Sequence, residues 1–271
     1  MIHVGIDLHS RNMTLVAIND NGKVLAEDKR ANSPANLSLF FQQFNEPVQA
    51  VVECTSYWYW VSDWCTAHQV RLTLAHAKML KAISYAKVKT DSVDARTLAE
   101  LLRVGLIPQA HQCQREQREL RELTRGRLRM IERRSSLQSS LWQLASKYNV
   151  IVQDVGWRYL DKLGTFLEQQ LPPVAWVEAQ LLLEQLRLLQ DQVGVLEHTI
   201  EQQVEFTDQL ERLKVLPGFG LVCAWTVIAE IGDITRFPSS RQFTSYCRLV
   251  PGSKDSGGKH RHRSKNKDGN R

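Results

Sequence analysis

Asn19-Asp20-Asn21-Gly22 lies between two short β-rich runs, Thr14 to Ile18 and Lys23 to Glu27. That placement commits the N-terminal region to a hairpin, because Asn and Gly accept the positive φ of a tight connection between antiparallel strands. A further run, His3 to Ile6, precedes the hairpin, and Asn32-Ser33-Pro34 follows it as a helix start, with Leu37, Phe40, Phe41 and Phe44 at helical spacing. Gln49 to Glu53, with its Ala-Val-Val, reads as a buried strand, Tyr57 to His68 as an aromatic-rich helix, and Arg71 to Ala75 as a further strand. The order β-β-β-α-β-α-β, followed by helix, predicts a mixed sheet with helices on its faces. Its parallel strands need crossover helices of this size. This α/β order is that of an RNase H-like core.

Beyond the sheet the pattern turns helical. Val93, Leu98, Leu101 and Leu102 predict a helix over Asp91 to Arg103, punctuated by Gly105 and Pro108. From Gln114 to about Asn149 one long basic helix carries Arg115, Arg118, Arg121, Arg125, Arg127, Arg129, Arg133 and Arg134. A second, Trp176 to Leu213, follows Pro172-Pro173 with Leu182, Leu186, Leu189, Val193, Leu196 and Ile200 near heptad spacing. The pair is expected to form a helical hairpin or coiled coil, or to mediate dimerisation. Leu216-Pro217-Gly218-Phe219-Gly220 then leads into an apolar helix, Val222 to Ile231, as in a helix-hairpin-helix. Expected domains are therefore 1–110 (α/β), 111–213 (helical hairpin) and 214–271 (mostly α).

Net charge of +6 and a pI near 9.1 tilt the chain toward an anionic partner such as nucleic acid. The five cysteines are scattered, with no Cys-x-x-Cys, so neither a zinc site nor a disulfide scaffold is indicated. No basic leader with a cleavage site precedes the first strand, and the apolar stretch Leu181 to Leu189 is broken by Glu184 and Arg187. A cytoplasmic protein without membrane contact is the expectation.

Chemistry is concentrated in four acids: Asp7 and Glu53, each after an apolar run, and Asp91 and Asp94 in Lys-Thr-Asp-Ser-Val-Asp-Ala. In an RNase H-like sheet the first and fourth strands lie parallel and adjacent, so Asp7 and Glu53 would be neighbours, and acids three apart on a helix share a face. Four carboxylates so close would repel one another unless a cation sat among them, and hard oxygen donors suit Mg²⁺ and phosphodiester chemistry. Taken singly, Asp7 could cap a turn, Glu53 could be a strand-end charge, and Asp91 a helix N-cap with Asp94 beside the positive dipole end.

Near the other end, Ser256 in Asp255-Ser256-Gly257-Gly258-Lys259 sits in a glycine-flanked loop with Lys259, Arg261 and Arg263, where a serine can approach a phosphate. A Ser-Gly turn in a polar tail accounts for the same residues. Nucleic-acid contact is expected from Lys89 and Arg96 around the acid pair, from Arg121 and Arg125 on the basic helix, and from the Gly218 and Gly220 turn, whose backbone N–H groups suit a phosphate. The arginines also fit a solvated face partnered by Glu116, Glu119 and Glu122, and the glycines a plain turn.

Gly5-Ile6-Asp7-Leu8-His9, Val52-Glu53-Cys54-Thr55, Lys89-Thr90-Asp91-Ser92-Val93-Asp94-Ala95-Arg96, Leu216-Pro217-Gly218-Phe219-Gly220 and Ser256-Gly257-Gly258-Lys259 together resemble the insertion-sequence-110 family of DEDD transposases, whose plan is shared by the Piv-type DNA invertases. The resemblance covers almost the whole chain. It implies an N-terminal RuvC-like domain bearing the metal-binding tetrad Asp7, Glu53, Asp91 and Asp94, a long helical hairpin, and a C-terminal transposase domain in which Ser256 becomes linked to DNA. It further implies Mg²⁺, DNA ends and target, a structured bridge RNA, and a dimer or tetramer. The chain stops at the Ser-Lys-x-x-x-Gly-Asn-Arg segment, Ser264 to Arg271, where family members usually continue, so a C-terminally short copy is expected. The resulting expectation is a transposase or site-specific recombinase. Its rivals are a RuvC-like nuclease that hydrolyses DNA with water, and a nucleic-acid-binding remnant without activity.

Overall fold

The computed structural model describes residues 1–83, 90–152, 155–204 and 208–250, together with the backbone of 252–256 and 259–263. The chain divides into two compact units, Met1–Cys113 and Gln114–Arg271.

In the first unit, β1 (Ile2–Leu8), β2 (Asn12–Asn19), β3 (Val24–Ala31), β4 (Val48–Glu53) and β5 (Arg71–Ala75) form a five-stranded sheet in the order β3-β2-β1-β4-β5. β1 and β2 pair antiparallel, as do β2 and β3, while β1, β4 and β5 run parallel. The predicted hairpin turn is present. Gly22 takes φ +78° and Asn19 Oδ1 accepts from the backbone N–H of Asn21 and Lys23. β3 runs on past the predicted end at Glu27 to Ala31, because its alternating half-exposed residues carry no apolar pattern to mark the extent of an edge strand.

Alternation divides β1 between the two sheet faces. Ile2, Val4, Ile6 and Leu8 pack with Leu37, Phe40 and Phe41 of α1 (Pro34–Phe41) and Val61, Trp64 and Cys65 of α2 (Tyr59–Ala67). His3, Gly5 and Asp7 point to the other face. There α4 (Asp91–Arg103), preceded by α3 (Ala77–Ile83), crosses β1 and β2 and buries Ala95, Leu98, Ala99 and Leu102. Gly5 permits that crossing: a Cβ on it would lie 1.9 Å from the Ala95 carbonyl oxygen and 2.7 Å from the Ala99 nitrogen. Leu98 and Leu102 then meet Val51 and Ala75, and Ala95 and Ala99 meet Val16 and Ile18, closing that side of the sheet.

The second unit is helical. α5 (Arg115–Ser146) and α7 (Pro173–Gln203) are the two long helices, but the second ends ten residues short of the predicted Leu213, and α8 (Asp208–Lys214) is separate. Between them α6 (Leu160–Gln170) inserts Leu160, Leu163 and Leu167 into a core with Leu141, Leu144 and Ala145 of α5 and Ala179, Leu183 and Leu186 of α7. Three helices therefore share the core at this end, where the spacing of apolar residues predicts two. The proximal half of α5 packs instead on α9 (Leu221–Ile231), with Leu120 and Leu123 against Ile200, Leu210, Ala224 and Trp225. A 3₁₀ turn, Ile234–Arg236, and α10 (Ser240–Tyr246) follow.

Last comes a two-stranded antiparallel hairpin, β6 (Gly252–Ser256) and β7 (Lys259–Arg263), with Ser256 opposite Lys259. Ser256 thus ends a strand, where composition predicts an unpaired loop.

Candidate metal centre

The register Ile6↔Val52 between parallel β1 and β4 carries Asp7 and Glu53 out side by side at the carboxyl ends of their strands. Asp7 belongs to the face covered by α4, and α4 begins at the same end. Thr90 caps it, its hydroxyl accepting from the Val93 backbone N–H, so Thr90 and not Asp91 is the N-cap. Asp91 and Asp94 both fall in the first turn, where the positive end of the helix dipole favours carboxylates. Asp7 and Asp91 are brought to one place with His9: one donor atom from each lies within 4.8 Å of the others.

His9 links the two acids directly. Its Nε2 is 3.1 Å from Asp7 Oδ2 and 3.4 Å from Asp91 Oδ1. Lys29, on β3, places Nζ 2.8 Å from Asp91 Oδ2, and the neighbouring Ser92 hydroxyl donates to Glu27 on the same strand. Asn32 fixes the turn after β1, donating from Nδ2 to the His9 carbonyl at 2.8 Å.

The two acids sit in different electrostatic surroundings. Burial pushes the Asp7 carboxyl above its ordinary range, the charges of Asp94 and Asp91 push it the same way, and His9 opposes them. Asp91 is held below the carboxylate range, mainly by its hydrogen bond from Lys29. Thr14, directly opposite Asp7 in the β1–β2 register, is buried with its hydroxyl oxygen unpartnered among the described residues. Carboxylate oxygens, an imidazole nitrogen and a hydroxyl without a partner fit a divalent cation and its bound water.

Lys89 lies outside the described residues. Arg96 is on α4, two residues past Asp94. Arg121 and Arg125 are committed within the second unit: Arg125 grips Glu230 of α9 through two bonds, at 2.6 Å to Oε1 and 2.9 Å to Oε2, and Arg121 adds a contact at 2.8 Å to Oε2. The Glu230 carbonyl also accepts from the Tyr246 hydroxyl at 2.9 Å. Gly218 takes φ +80° in the turn between α8 and α9, and Gly220 is the N-cap of α9. Lys259, Arg261 and Arg263 fall on β7, and Ser256 on β6. His9, Lys29 and Thr14 are functional candidates that motif reading passes over. His9 lies in the turn just past the end of β1, so strand alternation does not place it.

Comparison with known proteins places this geometry in context. Residues 4–150 match a family model described as a transposase of the DEDD IS110 type. Residues 210–271 match a second, described as the transposase IS116/IS110/IS902 family. A probable family 20 transposase from Pseudomonas aeruginosa is 26% identical over 267 residues, covering 95% of this chain and 76% of that protein. The transposase for insertion sequence element IS1111A from Coxiella burnetii is 25% identical over 174 residues, covering 63% of this chain and 48% of that one. No helix among the described residues is long and apolar enough to cross a membrane.

Proposed function

The chain belongs to the IS110 family of transposases, and on that footing we propose that it cleaves and joins DNA ends by a serine nucleophile working with a carboxylate-held divalent cation. The observation that carries this reading is the meeting of Asp7 and Asp91, from a strand end and a helix start, with Glu53 beside the first and Asp94 one turn from the second. The order β3-β2-β1-β4-β5 supports an RNase H-like, RuvC-like assignment of the first unit, in which these positions are the ones that hold metal.

Asp7, Glu53, Asp91 and Asp94 would hold Mg²⁺ or a similar ion, which when bound supplies Lewis-acid activation of a phosphodiester. Burial of Asp7 disfavours its charged form, and a bound cation would offset that penalty. Lys29 screens Asp91 meanwhile and keeps a positive charge at the rim where a DNA phosphate would arrive. The Ser256 hydroxyl attacks the scissile phosphorus, its proton passing to solvent or a nearby base. A phosphoserine ester forms as the P–O bond to the departing strand breaks. Lys259, Arg261 and Arg263 supply positive charge along the partner strand of that hairpin, suited to the phosphate backbone. Partners are DNA ends and target, a structured guide RNA, and further copies of the chain for synapsis.

The test is divalent-ion-dependent cleavage of DNA carrying the element ends, with guide RNA supplied. Wild type cuts only with the ion, and Asp7→Asn and Asp91→Asn do not cut. Cleavage in EDTA, or by Asp7→Asn at the wild-type rate, sinks the assignment.

A further inference from the structure

The geometry points to His9 as a direct metal ligand beside the carboxylates, giving the centre a nitrogen donor and a preference for Mn²⁺ or another transition ion over Mg²⁺. This inference rests on the carboxylate site proposed above and specifies its ion.

Three observations converge on it. First, the His9 Nε2 separations of 3.1 Å from Asp7 Oδ2 and 3.4 Å from Asp91 Oδ1 are close to the edge of an octahedron, about 3.0 Å for metal–donor bonds of about 2.1 Å. Donors spaced this way would be close enough to hold one ion together. Second, His9 is held in place from behind. Its carbonyl accepts from Asn32 Nδ2, its backbone N–H donates to the Asn12 carbonyl at 2.9 Å, and the Asn32 N–H donates to the Arg11 carbonyl at 3.0 Å. The turn that carries the ring is therefore tied to the ends of β2 and β3. Third, the buried and unpartnered Thr14 hydroxyl, opposite Asp7, leaves a polar group on this face for an ion-bound water or for Asp7 itself.

A neutral imidazole that ligates an ion through Nε2 carries its ring hydrogen on Nδ1. An imidazole ligand suits Mn²⁺, Co²⁺, Ni²⁺ or Zn²⁺, whereas Mg²⁺ selects oxygen and retains its waters.

The experiment is Mn²⁺ titration of the full chain, read by calorimetry and by pulsed electron paramagnetic resonance, which detects nitrogen bonded to Mn²⁺ as ¹⁴N modulation. Wild type is expected to show ¹⁴N coupling and a tighter Mn²⁺ than Mg²⁺ affinity. His9→Ala is expected to lose the coupling and to weaken Mn²⁺ binding by about tenfold or more, a larger loss than for Mg²⁺. His9→Gln, which restores an oxygen donor, should recover affinity without the ¹⁴N signal, and it guards against a folding defect in the alanine variant. Mn²⁺ bound with no nitrogen coupling, yet lost in Asp7→Asn, would overturn the role of His9 and leave the carboxylate site standing. Failure of wild type to bind Mn²⁺ at all would overturn both.

Discussion

Gly5→Ala is the sharpest perturbation of the way the candidate site is assembled. Gly5 is extended and lies in mid-strand, so alanine is conformationally acceptable there and only the space matters. The added Cβ would stand 1.9 Å from the Ala95 oxygen, 2.7 Å from the Ala99 nitrogen and 2.9 Å from the Ala95 carbonyl carbon, all of them backbone atoms that cannot rotate aside. Restoring ordinary contact moves α4 outward by about 1.5 Å. Overpacking of this kind costs about 1–3 kcal/mol, and the backbone partners place it toward the upper end. Thermal unfolding of the first unit should fall by on the order of 10 °C. Because α4 carries Asp91 and Asp94 while β1 carries Asp7, the same shift separates the carboxylates, and a misplacement of about 1 Å costs about a hundredfold in rate. Calorimetry and divalent-ion titration read the two effects. Gly194→Ala is the control, since it lies in α7 with open space around it and should be neutral or mildly stabilising. Unchanged melting and ion affinity in Gly5→Ala would refute the close-approach argument.

Other outcomes follow from the same structure. Asp7 has a folded-state pKa above its unfolded value, so its contribution to stability is present at low pH and is lost as pH rises from the ordinary carboxylate range through the raised value. Asp7→Asn should therefore raise the melting temperature of ion-free protein at neutral pH and abolish stabilisation by added ion, whereas a lower melting temperature there would contradict the burial cost. Glu230→Ala leaves the guanidinium groups of Arg121 and Arg125 without their shared partner, Glu230 itself being only 12% exposed. It should destabilise the second unit by about 3–5 kcal/mol in urea denaturation; a loss under 1 kcal/mol, as for an exposed pair, would contradict it. Burial pushes the Cys65 thiol up to about 12, so iodoacetamide at mildly alkaline pH should label the exposed Cys54 and Cys223 and spare Cys65 in native protein, as peptide mapping would read.

The legible parts of the fold were those where one face is buried. Arg71–Ala75 and Asp91–Arg103 coincide with their predicted bounds because apolar spacing and Thr90 mark them. The far end of β3 was not legible, since an edge strand with alternating charges has no buried face to declare its register, and it is this end that carries Lys29 to Asp91. The basic rod illustrates a second limit. Composition shows Arg121 and Arg125 as cations, but their pairing with Glu230, more than a hundred residues on, depends on how α9 docks. At the candidate site the acids stand out by spacing and motif. His9 and Thr14 are set by a turn and by cross-strand register, which only the paired strands reveal.

The central claim, a serine nucleophile served by this carboxylate site, is met most directly by mapping a protein–DNA adduct. Cleavage of an end-bearing DNA with divalent ion, quenched in denaturant, digested with nuclease and protease and analysed by mass spectrometry, should yield a nucleotide esterified to the peptide containing Ser256, absent in Ser256→Ala and in Asp7→Asn. Cleavage by Ser256→Ala at the wild-type rate with no adduct would contradict the claim and assign the carboxylates to a water-dependent nuclease.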